Sequence, residues 1–498
     1  MRHNRSMISL MRSSRPLLLS SALFLGFSGG AARAQDDVTV KTLAAPDYFS
    51  GAVAETGLPG DLWKDTAPGI MRDVLPKLAG PKPLSPGFAS LARRALSTGA
   101  NGPAGVGDDV EMGAARGLAL IALGEAKGAD AILDRATGGA GSAALSMAQA
   151  EAALITGNDD KACQAEQALT VDRGAAYWLR LRAFCQLKAG QADAAQLTFQ
   201  LAQPQTPKPV GADADYARLM GAALAGTPPG AANLKTGLNY ALSRRLNLDV
   251  QSAAALATAS PALKAVLAPP PAEIADIGHD LTAAEASDLA FLRQAKTLPA
   301  FVEAARASAP SIAALAKAGA PLRDPVLLAR AAVAAGDIVS AQAIRSRLTQ
   351  DVIPGATATD LAILDALIAA GSGKVDNQVL SALIGRGAAS GKSAQAAAVL
   401  LSSLGGTMDA DTRTQFAAFD LGKPAASAAR VQVLEDAAGA KRKGEAALLA
   451  LSLALDAGAT GPAPVDRARI AHALNRAGLV VDARAVVVEG LLGLAYAK

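Results

Sequence analysis

The chain has 498 residues, of which 51% are hydrophobic and only 3% aromatic. It carries 48 Lys and Arg residues against 44 Asp and Glu residues, but five of the arginines lie within the first 34 residues. Without that segment the chain is close to neutral, which excludes the strongly basic surface typical of nucleic-acid-binding proteins. Alanine and leucine are abundant whereas β-branched and aromatic residues are sparse, so the composition predicts an all-α fold.

Residues 1–34 have the pattern of a secretory leader. The apolar stretch 16–27 follows a basic region that contains Arg2, Arg5, Arg12 and Arg15. A small-residue motif, Ala32-Arg33-Ala34, predicts cleavage between Ala34 and Gln35. The apolar stretch is shorter than the ~20 residues that a membrane span needs. We therefore expect export by the general secretory route to the periplasm, with no stable membrane span in the mature chain.

The segment 35–110 is rich in proline and glycine and is predicted to be irregular, with short helices at 69–79 and 86–97. Ser85 is the predicted N-cap of the second helix, because Pro86 follows it at the first helical position. We expect Trp63 to be a core aromatic residue.

Four later segments share one pattern, in which a glycine ends an apolar helix and an alanine five residues later lies in the next helix. Glycine ends helices because it adopts the left-handed conformation without a Cβ clash, and alanine lets two helices approach closely. The pairs are Gly157 and Ala162, Gly190 and Ala195, Gly336 and Ala341, and Gly478 and Ala483. The pattern predicts an α-solenoid of stacked antiparallel helix hairpins.

Proline-rich stretches suggest how this array is divided, because prolines such as those in "LAPPPAE" (267–273) cannot continue a helix. Pro261 and Pro310 are predicted to mark helix starts. The predicted organisation is a leader at 1–34, an irregular segment at 35–110, a helical-repeat array at 111–268, a proline-interrupted connector at 269–323 and a second array at 324–498.

The stretch "YWLRLRAFCQLKAGQADAAQLTFQLA" (177–202) resembles tetratricopeptide-type and Sel1-type helical repeats, with an early aromatic residue, Gly190 at the turn and alanines in the second helix. The resemblance extends over 113–202 and 324–404. It implies a scaffold for protein–protein interaction and carries over no functional residue. The layout also resembles soluble lytic transglycosylases, in which an exported α-superhelix precedes a lysozyme-like domain. The Glu-Ser pair of that domain is missing here, so an accessory subunit of a cell-wall enzyme is the alternative.

The two cysteines are predicted to form a disulfide bond. Cys163 lies six residues after Gly157, early in one helix, and Cys185 lies five residues before Gly190, late in the next. Because neighbouring hairpin helices run antiparallel, the two thiols should lie at the same level. An exported chain with two cysteines normally oxidises them.

The stretch "GRGAASGKS" (385–393) is similar to a phosphate-binding loop, but Arg386 stands where that loop requires its first glycine. Gly391 instead precedes Ala396 by five residues, which predicts another helix hairpin. His279 and His472 are isolated and form no pattern for metal binding or catalysis. We therefore predict a non-enzymatic scaffold without a cofactor, which binds one or more protein partners. An enzyme with an unrecognised site and any oligomeric state remain open.

The C-terminal segment 478–498 is unusually apolar for the last helix of a repeat array. Between 479 and 497 its only charged residues are Asp482, Arg484 and Glu489. A terminal helix of a solenoid should present a polar face to water. Two alternatives follow: the helix packs back into the array, or it docks a partner or a second copy.

Overall fold

A computed structural model describes residues 47–203, 211–268, 280–348 and 356–495. This part of the chain is all-α and solenoid-like, as predicted, and contains no strand. The predicted leader, its cleavage site at Ala34 and Gln35, and His279 lie outside the described residues.

The helices of the N-terminal half are α1 (Pro68–Leu78), α2 (Pro86–Ser97), α3 (Val110–Ala122), α4 (Ala126–Leu133), α5 (Ala143–Thr156), α6 (Asp159–Ala168), α7 (Ala176–Lys188), α8 (Ala192–Leu201), α9 (Ala212–Ala225), α10 (Gly237–Arg245), α11 (Val250–Ala254) and α12 (Pro261–Leu267). Those of the C-terminal half are α13 (Leu281–Gln294), α14 (Leu298–Ala318), α15 (Pro325–Ala335), α16 (Ile338–Arg345), α17 (Ala358–Ser372), α18 (Asn377–Ser390), α19 (Lys392–Ser402), α20 (Ala410–Ala417), α21 (Ala428–Gly439), α22 (Lys443–Ala457), α23 (Pro464–Ala477) and α24 (Val480–Gly493). Short 3₁₀ turns occupy Gly139–Gly141 and Gly458–Thr460.

The predicted hairpin turns are confirmed in their backbone geometry. The four turn glycines have positive φ, with values of 88°, 77°, 89° and 91° in chain order at Gly157, Gly190, Gly336 and Gly478. The alanine five residues after each glycine is fully buried, with 0% exposure at Ala162, Ala195, Ala341 and Ala483. Each glycine therefore reverses the chain, and each alanine lies where the two helices of the hairpin pack together.

One of the two predicted proline-marked helix starts is wrong. Pro310 does not start a helix but lies inside α14, whose 21 residues begin at Leu298. The proline at the start of α14 is Pro299, in the first turn. A proline in a helix interior leaves the carbonyl four residues earlier, here that of Arg306, without its usual donor. The prediction at Pro261 is correct, because α12 begins there.

The two ends of the described array pack against each other. Helix α1 contacts α22, and α2 contacts both α22 and α24. Gly444 at the start of α22 donates its N–H to the carbonyl of Leu62 at 3.0 Å. The ring of Trp63 fills the space beside Gly444, where any Cβ would collide with it. Trp63 is therefore a core residue, as predicted, but part of its packing comes from the C-terminal helices.

The irregular segment before α1 is held by a buried arginine on α3. Arg116 is 1% exposed and donates hydrogen bonds to the carbonyls of Tyr48, Gly51 and Leu96 at 2.7–3.0 Å. Burial lowers the pKa of Arg116 to about 10, and the negative charge of Asp47 opposes this shift. A single guanidinium group thus satisfies two carbonyls of the irregular segment and one in the last turn of α2, where the helix itself supplies no donor.

The apolar interior consists of two clusters of buried side chains. A smaller cluster is built from α5 to α10, and a larger one includes α1 to α5 and the helices from α10 onwards. Helix α24 belongs to the larger cluster, and its residues Val486, Val487 and Leu491 have 0% exposure. Of the two alternatives for the C-terminal segment, the structure supports the helix that packs back into the array.

Candidate functional site

A cavity of about 370 Å³ lies where α2 and α24, from opposite ends of the chain, meet α14 to α17. We call it the terminal groove. Its apolar lining comprises Val302, Val333, Ile338, Val481, Val488 and Leu492, and its polar lining includes Ser90, Arg306, Arg484 and Glu489. No sequence pattern predicted this cavity, because its walls include Gly87 and Glu489, which are 402 residues apart.

Glu489 forms one wall of the groove and is held in a fixed position. Its Oε1 lies 2.6 Å from Nη1 of Arg467, and both side chains are only 4% exposed. Arg467 also donates from Nε to the carbonyl of Pro462 at 3.2 Å and from Nη2 to that of Thr460 at 3.1 Å. This buried ion pair has its remaining hydrogen-bonding groups satisfied, which is the condition for such a pair to be tolerated.

The same carboxylate caps helix α2. Gly87, in the first turn of α2, donates its N–H to Oε2 of Glu489. Ser85 occupies the N-cap position as predicted, but its side chain makes no capping hydrogen bond. A carboxylate from the C-terminal helix replaces it, and it also carries the negative charge that favours a helix N-terminus. Gly87 permits this approach, because a Cβ there would lie 2.7 Å from Oε2.

Helix α1 shows the same arrangement. Its N-cap residue, Ala67, has no side chain that could cap the helix, and its N–H donates to Oε2 of Glu445 at 2.7 Å. Glu445 lies on α22 and is held by Nε of Arg442 at 3.0 Å. Both N-terminal helices therefore begin at glutamates that the C-terminal helices supply.

Positive charge is in excess on the polar side of the groove. Arg484 reaches only the carbonyl of Gly373, at 3.4 Å, and Arg306 has no hydrogen bond or ion pair with any residue of the described ranges. Arg93 lies close enough to Arg306 for the charges to interact: burial lowers the pKa of Arg93, the charge of Arg306 lowers it further, and the negative charge of Glu125 opposes this shift. The nearby acids Glu489 and Asp482 already pair with Arg467 and Arg94.

The three charged residues of the apolar C-terminal segment all lie at or beside the terminal groove. Glu489 and Arg484 line the groove. Asp482 is buried and accepts a hydrogen bond from Nη1 of Arg94, on α2, at 2.5 Å. The sequence shows that charged residues are scarce in this segment, but it does not show that their partners are Arg94, Gly373 and Arg467.

Asp482 allows a prediction about pH. Burial raises its pKa, and the charge and hydrogen bond of Arg94 offset this only in part. Because the folded-state pKa lies above the ordinary value of about 4, the contribution of this group to the free energy of unfolding falls as pH rises from below 4 through the raised pKa. We expect Asp482→Asn to remove that fall and to be at least as stable as the wild type at neutral pH. Urea unfolding of both proteins across this pH range measures the difference.

The amide oxygen of Asn can still accept from Arg94, so the substitution changes the charge and keeps the contact. Asp456→Asn is the matched control, because Asp456 pairs with Arg430 at 2.6 Å on the surface. A loss of more than about 2 kcal/mol in Asp482→Asn at neutral pH would contradict the prediction, because it would mean that the buried ion pair outweighs its desolvation.

The predicted disulfide bond is confirmed, and neither of its cysteines belongs to the lining of the terminal groove. Cys163 on α6 and Cys185 on α7 are joined, with their Cα atoms 5.7 Å apart. Beside it, the buried carboxylate of Glu166 binds Nε of Arg182 at 2.7 Å. The bond joins an early residue of one helix to a late residue of the next, as the antiparallel packing predicted.

The structure also describes two other candidates from the sequence, the stretch 385–393 and His472. Residues 385–390 belong to α18 and residues 392–393 to α19, with Gly391 between them, so the strand that precedes a phosphate-binding loop is not present there. His472 lies on α23. Within the described ranges, no group of three or more His, Cys, Asp or Glu side chains is placed to hold a metal ion. None of the described helices combines the length and apolar character that a membrane crossing requires.

Comparisons with protein-family models, with curated proteins and with solved structures find no match for this chain.

Proposed function

We propose that this protein is an exported, non-enzymatic helical-repeat scaffold of the periplasm that binds a protein partner through the terminal groove. The terminal groove is the observation that carries the proposal. It offers an apolar cavity whose lining continues into exposed side chains such as Val481, which is 58% exposed. Exposed apolar surface beside a cavity is typical of an interaction site.

Two further features support export and a repeat architecture. A disulfide bond in a chain with a secretory-leader pattern fits an oxidising compartment such as the periplasm. The glycine-broken helix hairpins fit the tetratricopeptide-like or Sel1-like class of repeats, whose members generally bind other proteins.

The proposal is tested by purifying the tagged protein from the periplasm of the organism that encodes it. We expect a mature chain that begins at Gln35 and a partner protein in fixed stoichiometry. Val481→Asp should remove that partner, because it places a charge at the edge of the groove. Val433→Asp is the matched control, since Val433 is an exposed valine on α21, outside the groove lining.

Each result bears on a different part of the proposal. A cytoplasmic chain that keeps residues 1–34 would contradict export. A partner that both valine variants retain would contradict the role of the groove. A co-purifying cell-wall hydrolase would identify the scaffold as an accessory subunit of that enzyme.

A further inference from the structure

The second residue of the second helix differs among the four glycine-broken hairpins. It is Asp160 in α6 and Asp193 in α8, but Val339 in α16 and Val481 in α24. An acidic residue is favoured in the first turn of a helix because it interacts with the positive end of the helix dipole. Valine has no such interaction, yet Val339 is 76% exposed and Val481 is 58% exposed.

The two hairpins with valine are the ones that line the terminal groove. Val481 itself and Ile338, the residue before Val339, are part of the lining. Neither Asp160 nor Asp193 belongs to it. Exposed apolar residues therefore occur at this helix position only in the hairpins that border the cavity. Val481 is both exposed and part of the lining, so the apolar surface of the cavity continues to the exterior there.

The charged residues of the groove indicate which polar groups the ligand carries. Arg306 and Arg484 line it and have no acidic partner in the described ranges. Glu489 and Asp482 do not neutralise them, because each is already bound to another arginine. A partner that fits brings anionic groups, and in an unmodified protein these are carboxylates, which guanidinium groups bind through charge-assisted hydrogen bonds.

We propose that the terminal groove binds an acidic segment of a partner protein, in which one or two large apolar side chains enter the cavity and neighbouring Asp or Glu side chains pair with Arg306 and Arg484. This inference rests on the proposed function and adds the chemistry of the partner. The cavity of about 370 Å³ is at the lower end of ligand pockets, roughly 300–1,000 Å³, and so suits a few side chains.

Random short peptides displayed on phage are the probe, panned against the processed full-length protein and counter-selected against Val481→Asp. We expect the retained peptides to combine Leu, Ile or Phe with adjacent Asp or Glu. A selected peptide should bind at least about tenfold more weakly to the double variant Arg306→Gln/Arg484→Gln, and its affinity should fall with added salt. The charge-retaining variant Arg306→Lys/Arg484→Lys should keep most of the affinity.

Arg469→Gln is the control for the loss of an arginine, because Arg469 lies on α23 and pairs with Glu435 away from the lining. Circular dichroism of each variant checks that it is folded. Retained peptides without acidic residues, or equal binding by the Gln double variant, would overturn the inference and leave the proposed function intact. Failure to retain any peptide over Val481→Asp would overturn the inference. Concentration-dependent dimerisation that Val481→Asp abolishes would also overturn it, because a second copy would then occupy the groove.

Discussion

Replacing Arg467 with alanine is expected to lower the free energy of unfolding by about 3–5 kcal/mol, the cost typical of breaking a buried ion pair by removing one partner. The substitution leaves the carboxylate of Glu489, which is 4% exposed, without its cation. It also leaves the carbonyls of Pro462 and Thr460 without the hydrogen bonds that Arg467 donates. Urea unfolding at neutral pH, followed by circular dichroism, measures the loss.

Arg469→Ala is the matched control, two residues further along the same helix. Arg469 pairs with Glu435 at 2.9 Å, but their side chains are 38% and 42% exposed. Exposed ion pairs contribute about 0–1 kcal/mol, so this variant should be nearly as stable as the wild type. The double variant Arg467→Met/Glu489→Gln should recover part of the stability, because it removes both charges and the Gln oxygen still accepts from Gly87, whereas Met leaves the carbonyls of Pro462 and Thr460 unpaired. Equal losses in Arg467→Ala and Arg469→Ala would contradict the assignment of Arg467 as the buried cation that holds Glu489 in place.

The local features of this fold were predictable because they depend on residues close in the sequence. A glycine that takes positive φ and an alanine five residues later define each hairpin, and both are visible in a short stretch of chain. The disulfide bond followed from the same local geometry, since Cys163 and Cys185 lie at defined distances from the turn glycines. The prediction for Pro310 is wrong because a long helix with enough buried residues can accommodate one missing hydrogen bond.

The contact between the two ends could not be predicted in the same way. Gly87 and Glu489 are 402 residues apart, and no local pattern indicates that they meet. Ser85 has the residue type of an N-cap, so the local pattern pointed to its own hydroxyl and not to a distant carboxylate. One signal was available: valine occupies the second helix position of two hairpins, where the other two have aspartate.

Removing the disulfide bond, by the double substitution Cys163→Ala/Cys185→Ala, is expected to cost about 3 kcal/mol of stability according to the chain-entropy account. The bond closes a loop with a sequence separation of 22. Both cysteines belong to the smaller apolar cluster, built from α5 to α10. We therefore expect the loss to be local, because cooperative units of a repeat array can open separately. Amide hydrogen exchange measured by mass spectrometry should be about a hundredfold faster in α6 to α8, the equivalent of about 3 kcal/mol, and unchanged in α22 to α24.

The wild-type protein reduced under native conditions separates the effect of the bond from the effect of side-chain volume. It keeps both sulfur atoms but loses the cross-link, so its exchange should resemble that of the alanine variant if the constraint on the unfolded chain provides the stability. Slow exchange in the reduced protein together with fast exchange in the alanine variant would assign the loss to packing around two buried side chains. Faster exchange throughout α22 to α24 as well would show that the two apolar clusters unfold as one unit, which contradicts a local effect.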